Sequence, residues 1–321
     1  MKEIRITDIT GIAIGQVENA QAGTGCTVFI RREGMPAGID VRGGGPASRE
    51  SELLNPLASA QEIHALVLAG GSAFGLDAAG GVMRCLEEHD IGFDVGVTRV
   101  PLVVQSCLFD LTVADKSIRP DSAMGYEAAK TAIESPNYQD GNHGAGTGAT
   151  VGKFAGMDTC MKSGIGSYAV QIGELQIGAV VAVNARGDVF DWRTGKKLAG
   201  LTTGDTTELM MQNYSPVNNK FTGNTTLAVV MTNAAFTKSQ LCKIASMAQN
   251  GLARSIRPVH TSADGDTVYA LSAGSIQADM DLVGTLAAEV VSEAITRAVK
   301  SCEGAYGFLS YKDIMKGKDV K

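Results

Sequence analysis

A candidate nucleophile with its own general base is found at Thr225. Gly223 and Asn224 stand directly before Thr225, and a run of β-forming residues follows at 226–232. The Gly-Asn pair predicts an exposed bend, so Thr225 is expected at the mouth of a buried strand. If the Asn224–Thr225 peptide bond is cleaved, Thr225 gains a free α-amino group beside its hydroxyl, and one residue then holds a nucleophile and its general base. Residues 221–230 alone leave an ordinary turn before a strand as the alternative.

A second candidate group is the acidic pair Asp264 and Asp266, which flanks Gly265 just before a predicted strand at 267–272. An Asp-Gly sequence is typical of a solvent-exposed turn. With a threonine nucleophile nearby, the two carboxylates could instead hold an ammonium group and tune its pKa.

Lys153 and Asn184 fall inside predicted strands at 149–154 and 175–185. Such side chains in a sheet usually point to solvent. If they point inward, each needs a polar partner, because burying either one unpaired is costly. His143, in a predicted loop, has no partner at a suggestive spacing and is not assigned to the site.

The composition restricts the class of protein. With 321 residues, 44% of them hydrophobic and 19% charged, the chain predicts a globular protein with a substantial core. A net charge of −6 argues against a nucleic-acid partner. The six cysteines form no CxxC pair, so a disulfide framework or a metal site is not expected. No cofactor is expected either. The charged N-terminus and the lack of a long apolar run predict a cytoplasmic protein without a membrane segment.

The elements that must position these residues include a glycine-rich loop at 38–50. It lacks the Lys-Ser/Thr ending of a phosphate-binding loop. Its arginines, Arg42 and Arg49, are predicted either to bind a carboxylate or to pair with Asp40 and Glu50.

The pattern elsewhere predicts strands alternating with helices. A strand at 64–69 is followed by a small-residue helix that Ser72 is expected to cap, and three strands at 149–154, 166–172 and 175–185 suggest an antiparallel meander. Residues 186–220 are polar and are predicted as a long surface loop. Helices are expected at 121–133, 238–254 and 279–299, so the chain should end as a sheet covered by helices on one side.

Four segments together resemble the L-aminopeptidase/D-esterase family of self-processing peptidases, which also includes the β-peptidyl aminopeptidases and the nylon-oligomer hydrolases. They are residues 38–55, 69–83, 144–152 and 224–233, and they carry the runs Gly-Ile-Asp-Val-Arg-Gly-Gly-Gly-Pro, Gly-Gly-Ser-Ala-Phe-Gly-Leu-Asp-Ala and Leu-Ala-Val-Val-Met-Thr-Asn. The resemblance covers nearly the whole chain. It implies one α/β domain over residues 1–321, a four-layer α/β/β/α sandwich that is layered like N-terminal-nucleophile hydrolases but differently connected.

The resemblance also implies that the chain cuts itself between Asn224 and Thr225. The products would be an α chain of residues 1–224 and a β chain of residues 225–321, which stay together. The family further implies a homo-oligomer, a tetramer, and a small-molecule or short-peptide amide as substrate.

Residue by residue, the family's site maps onto five positions. Thr225 matches the nucleophile, Lys153 and Asn184 match polar residues that line the site, and Asp264 and Asp266 match the acidic pair. The Asn-Thr junction and the two aspartates are closer to the nylon-oligomer hydrolases than to the aminopeptidases, which tend to have Gly-Ser at the junction and Ser with Glu in the pair.

The predicted function is therefore a self-processing amide hydrolase with an N-terminal threonine, acting on short peptides or amide oligomers. The Asn184 amide is the predicted oxyanion donor, and a cationic Lys153 would lower the pKa of the Thr225 amine. Two alternatives stay open: an acyltransferase of the ornithine-acetyltransferase type, and an unprocessed protein of this fold without enzymatic activity.

Overall fold

The computed structural model describes residues 1–214 and 223–318. Phe221 and Thr222, which precede the predicted cut, and residues 215–220 of the predicted surface loop lie outside these described residues. Across the two described ranges, none of the helices combines the length and the apolar character that crossing a membrane requires.

Within the described residues, a six-stranded sheet contains the strands around Thr225. Its strands lie in the order β1 (Lys2–Ile4), β12 (Ile165–Ile172), β13 (Leu175–Asn184), β16 (Thr225–Ala234), β18 (Thr267–Ile276) and β4 (Ala37–Val41). β13 and β16 are antiparallel, whereas β16 and β18 are parallel. Both faces of these central strands are buried, which explains their nearly continuous runs of Val, Ala and Leu.

A five-stranded sheet packs against the first. In the described part of the chain its order is β2 (Ala13–Asn19), β3 (Thr24–Met35), β6 (Ile63–Ala69), β9 (Val103–Cys107) and β5 (Ala47–Arg49). Smaller sheets pair β7 (Phe93–Asp94) with β8 (Arg99–Val100), β10 (Thr150–Val151) with β11 (Met161–Lys162), and β14 (Asp188–Phe190) with both β15 (Lys197–Ala199) and β17 (Ile256–Arg257).

Helices cover the outer face of each main sheet. An apolar cluster joins α4 (Lys238–Ser255) and α5 (Met280–Ser301) to the six-stranded sheet, and another joins α1 (Ala78–Glu88) and α2 (Ser122–Glu134) to the five-stranded sheet. A third cluster lies between the two sheets and includes Phe29, Leu66, Val180 and Tyr269. The predicted four-layer α/β/β/α sandwich is therefore confirmed. Two shorter helices are α3 (Thr206–Gln212) and α6 (Tyr311–Lys318).

The predicted long helices are also confirmed, and their first residues follow capping side chains. Asp121 accepts from the Met124 N–H and Asp279 from the Leu282 N–H, and Thr237 forms a capping box with Gln240. Ser72 does not cap a helix, contrary to the prediction. Its backbone has a φ of 54° and starts a 3-10 turn that precedes α1.

The predicted strand at 149–154 is wrong beyond its first residues. Only Thr150–Val151 forms a strand, and Lys153 lies in the segment that follows it. Gly152 ends the strand because its φ is +78° and a Cβ there would lie 2.1 Å from the Leu201 backbone nitrogen. The other two predicted strands do form an antiparallel pair, β12 with β13.

The predicted loop at 186–220 is wrong in part, since its described residues contain β14, β15 and α3. The buried carboxylate of Asp188 organises it, accepting from the N–H groups of Leu201 at 2.6 Å and Thr206 at 2.7 Å. Lys197 adds an ion pair to the same carboxylate at 3.2 Å. These contacts join residues distant in sequence, so local composition does not reveal them.

Candidate active site

Thr225 and Asn184 lie opposite each other on paired strands. Thr225 is the first residue of β16, Asn184 is the last of β13, and their Cα atoms are register partners. Cross-strand partners direct their side chains to the same face of a sheet. Both are buried, Thr225 with 4% of its surface exposed and Asn184 with none. The strand ends thus place a hydroxyl and an amide together.

Lys153 is attached to the Asn184 side of this pair. Its Nζ donates to the Asn184 side-chain oxygen at 2.7 Å and to the Asn184 backbone carbonyl at 3.0 Å. The Asn184 Oδ1 also accepts from the Thr150 N–H at 3.1 Å, and its Nδ2 donates to the Phe109 carbonyl at 2.9 Å. Asn184 is therefore fixed from both ends of its amide, and it holds Lys153 in place.

The environment of Lys153 changes its protonation. The ammonium form is disfavoured because the side chain is buried, and burial lowers its pKa from 10.5 to about 7, against the opposing effect of nearby acidic groups that include Asp264 and Asp266. At neutral pH the amine is therefore present in both protonation states.

Asp264 is a buried carboxylate that is held by hydrogen bonds. Its Oδ2 accepts from the Thr261 N–H at 2.9 Å and from the Thr261 hydroxyl, and its Oδ1 accepts from the Arg186 N–H at 3.4 Å. Burial raises the pKa of Asp264, and the negative charge of Asp266 raises it further.

Asp266 connects the site to a histidine. Its Oδ1 accepts from the N–H of Thr226, the residue directly after Thr225, at 2.8 Å. Its Oδ2 accepts from the His260 backbone N–H at 2.9 Å and contacts His260 Nδ1 at 2.9 Å. His260 has a φ of 57°, and its side chain is mostly buried. Its ring therefore lies against the Asp266 carboxylate and is largely shielded from solvent.

The carbonyl of the peptide bond before Thr225 has two hydrogen-bond donors. The Gly265 N–H donates to the Asn224 carbonyl oxygen at 2.7 Å, and the Thr225 hydroxyl donates to the same oxygen at 2.5 Å. Gly265 also lies against the hydroxyl itself, because a Cβ at this position would come within 2.8 Å of Thr225 Oγ1. Only a glycine allows this close approach.

The glycine-rich loop supports the acidic segment through its backbone. The N–H groups of Arg42 and Gly43 donate to the Asp266 carbonyl, and that of Gly45 donates to the Asp264 carbonyl at 2.8 Å. The predicted pairing of Arg42 with Asp40 is present at 2.9 Å. The guanidinium of Arg49 instead donates to the Leu76 carbonyl at 3.2 Å.

Comparison with known proteins decides the family. A sequence profile of peptidase family S58 matches residues 5–311. The chain belongs to peptidase family S58. It is 36% identical to an uncharacterized aminopeptidase of Mycobacterium leprae (strain TN), over 97% of this chain and 94% of that protein. It is 28% identical to a 6-aminohexanoate-oligomer endohydrolase of Kocuria sp. (strain KY2), over 91% of this chain and 85% of that protein.

Solved structures of similar fold include two aminopeptidases. A beta-aminopeptidase of Burkholderia sp. superposes on this S58 peptidase with a TM-score of 0.67 at 19% identity, covering 98% of this chain and 93% of that one. The L-aminopeptidase D-Ala-esterase/amidase of Ochrobactrum anthropi gives a TM-score of 0.67 at 16% identity with the same coverage, and its structure is described as a variant of the Ntn-hydrolase fold. The family resemblance drawn from the sequence is thereby confirmed. The relatives include proteins named aminopeptidase and a nylon-oligomer hydrolase, the 6-aminohexanoate-oligomer endohydrolase.

The structure brings the five predicted positions of this S58 peptidase together in one buried region. Two further contributors were not predicted. Gly265 was interpreted only as part of a turn, although its place between the two aspartates was a usable signal. His260 carries no sequence signal, since a lone histidine six residues before an aspartate is common.

Proposed function

We propose that this S58 peptidase cuts itself between Asn224 and Thr225 and then hydrolyses external amides with Thr225 as its N-terminal nucleophile. The observation that supports this most is the arrangement at the Asn224 carbonyl, where the Gly265 N–H and the Thr225 hydroxyl meet on one oxygen. A donor fixed on a carbonyl oxygen stabilises the negative charge that develops there when a nucleophile adds to the carbon.

In the self-cleavage step, Thr225 Oγ1 adds to the Asn224 carbonyl carbon while the Gly265 N–H stabilises the oxyanion. The C–N bond then breaks, the Thr225 nitrogen takes up the hydroxyl proton, and Asn224 is left as an ester on Thr225. Water hydrolyses this ester, giving a carboxylate on Asn224 and a free amine and hydroxyl on Thr225.

In turnover, the freed Thr225 amine takes the proton from the hydroxyl as the oxygen attacks the substrate amide. The substrate C–N bond then breaks, the Thr225 ammonium gives its proton to the leaving nitrogen, and the acyl group stays as an ester on Thr225. Water hydrolyses this acyl-enzyme and releases the carboxylate. Once Asn224 has left, the Gly265 N–H is a candidate oxyanion donor for the substrate. Asn184 is a second candidate, because an amide nitrogen carries two hydrogens and Phe109 accepts only one of them.

The charged groups would set the pKa of the new amine in opposite directions. Asp264 and Asp266 favour its ammonium form, and a protonated Lys153 favours the neutral amine that catalysis needs. Because the pKa of Lys153 is about 7, its effect declines as the pH rises above neutrality.

We further propose that the fragments 1–224 and 225–321 stay associated after the cut. β16 lies between β13 and β18 and pairs with β13 over eight residues, so the main sheet contains strands of both fragments. The tetrameric state and the cytoplasmic location expected from the sequence are retained as proposals, to be tested by the mass in solution and by cell fractionation.

A denaturing gel with N-terminal sequencing tests the proposal. Two bands are expected, the smaller beginning Thr225-Thr226-Leu227, and a Thr225→Ala variant should remain a single band. If the variant is still cut, an outside protease is responsible and the self-cleavage proposal is wrong. Adding an amine acceptor to the processed enzyme separates hydrolysis from acyl transfer, since a hydrolase passes the acyl group to water.

A further inference from the structure

A cationic side chain, that of Arg186, belongs to a residue beside the candidate site and has no carboxylate partner among the described residues. Arg186 follows Asn184 by two residues, and its backbone is bound on both sides of the site. Its N–H donates to Asp264 Oδ1 at 3.4 Å, and its carbonyl accepts from the Lys153 N–H at 3.0 Å. The residue is therefore fixed between the lysine and the acidic pair.

The guanidinium of Arg186 stacks on the ring of Phe154, with its central carbon 4.8 Å from the ring centre. Its Nε is buried and has no hydrogen-bond partner, and within residues 1–214 and 223–318 no carboxylate lies within ion-pair distance of it. Two other stacked arginines, Arg193 and Arg297, each pair with Glu293. Three more stack on a ring without an ion pair among the described residues, but none of them has a buried Nε without a hydrogen-bond partner: Arg84, Arg119 and Arg257.

The positive charge of Arg186 has no carboxylate partner among residues 1–214 and 223–318, and a carboxylate bound to the accessible part of its guanidinium would supply one. Phe154 holds the guanidinium plane in a fixed orientation, and such a planar group binds a carboxylate through two parallel hydrogen bonds. Arg186 as a whole is only partly buried, so an anion can reach it from outside.

We propose that Arg186 is the substrate's carboxylate anchor: it binds a free carboxylate on the part of the substrate that extends from the amide attacked by Thr225. The substrate class is then a short amide that carries a free carboxylate group. This inference rests on the proposed function, since it assigns a specificity to the same site.

The test uses matched pairs of substrates and processed enzyme. An α-dipeptide, a β-dipeptide and a 6-aminohexanoate dimer are each prepared with a free carboxylate and as the carboxamide. In Arg186→Gln we expect kcat/KM to fall about tenfold to a hundredfold for the carboxylates, as for loss of a charged hydrogen bond, and to stay within about twofold for the carboxamides. Arg84→Gln is the control, because Arg84 also stacks on a ring, that of Tyr126, but lies in α1, which covers the five-stranded sheet.

Each outcome decides a different point. If Arg186→Gln changes both members of a pair equally, the anchor is overturned while the proposed function stands. If the processed wild type hydrolyses none of the six compounds, the proposed function fails and the anchor with it.

If Arg186→Gln is not processed, Arg186→Lys replaces it, because lysine keeps the charge without the planar group. Its preference for carboxylate over carboxamide must then be lower than that of the wild type, and an unchanged preference overturns the anchor.

Discussion

The N–H of Gly265 lies 2.7 Å from the carbonyl oxygen of Asn224, so a backbone donor between the two aspartates is already in contact with the peptide bond proposed to be cut. A backbone donor cannot be removed by exchanging a side chain. A side chain added at position 265 can displace it, however, because an added Cβ would lie 2.8 Å from the Thr225 hydroxyl oxygen and 2.8 Å from the Gly45 carbonyl oxygen.

Gly265→Ala is therefore expected to slow self-cleavage strongly. The added methyl group must push apart the Gly265 backbone and Thr225 Oγ1, which lengthens the contact to the Asn224 carbonyl. Loss of one oxyanion donor typically costs about 10² to 10³ in rate, so precursor should accumulate over hours on a denaturing gel.

Gly80→Ala is the matched control, because Gly80 lies in α1 and the nearest atom to an added Cβ is 3.9 Å away. That variant should process like the wild type. If Gly265→Ala is fully processed at the wild-type rate, the Gly265 N–H is not an oxyanion donor in the cut.

His260 is expected to act as a positioning residue for Asp266. His260→Ala removes the ring contact to Asp266 Oδ2 and places alanine at a φ of 57°, whereas His260→Asn keeps a donor and tolerates that backbone. We expect kcat/KM to fall about tenfold in His260→Ala, in line with one hydrogen bond to a charged group, and to recover partly in His260→Asn. Equal losses in the two variants would show that the hydrogen bond is not what matters.

The sequence predicts the layers of this fold because the patterns that specify them are local. The apolar runs of β13 and β16 and the capped helices α4 and α5 can be identified from neighbouring residues. The elements β14, β15 and α3 are not predicted, because Asp188 organises them through contacts with Leu201 and Thr206.

The candidate site shows the same division. Asn184 and Thr225 could be placed from the ends of their strands. The sequence does not predict whether Lys153 points inward, because the pattern places it in a strand. Only the structure shows its hydrogen bond to Asn184. The buried Nε of Arg186, which has no hydrogen-bond partner in the described part of the chain, likewise depends on what packs around it in three dimensions.

Asn184→Ala tests whether Asn184 is the second oxyanion donor proposed for the processed enzyme. Removing the amide should lower kcat by about 10² to 10³, if its free N–H stabilises the oxyanion of the substrate. Asn233→Ala is the control, because Asn233 lies near the far end of β16 and its Oδ1 accepts from the Gln176 N–H at 2.8 Å. A kcat for Asn184→Ala within a few-fold of the control would exclude Asn184 as an oxyanion donor.

Lys153 should make the stability of the unprocessed chain depend on pH. In the unfolded chain this amine keeps its proton up to a pKa of 10.5, whereas in the folded chain burial lowers the pKa to about 7. Between these values the unfolded state binds more protons, so the free energy of unfolding rises with pH, and below pH 7 the cost of burying the charge is fully present. In Thr225→Ala, which is expected to keep the chain intact, that free energy should rise by roughly 2 to 3 kcal/mol more between about pH 7 and about pH 9 than in Thr225→Ala/Lys153→Met. Lys162, whose pKa burial lowers to about 8, contributes equally to both proteins and cancels in the comparison. Denaturant unfolding at the two pH values measures the difference, and parallel pH profiles would mean that Lys153 keeps its proton in the folded chain.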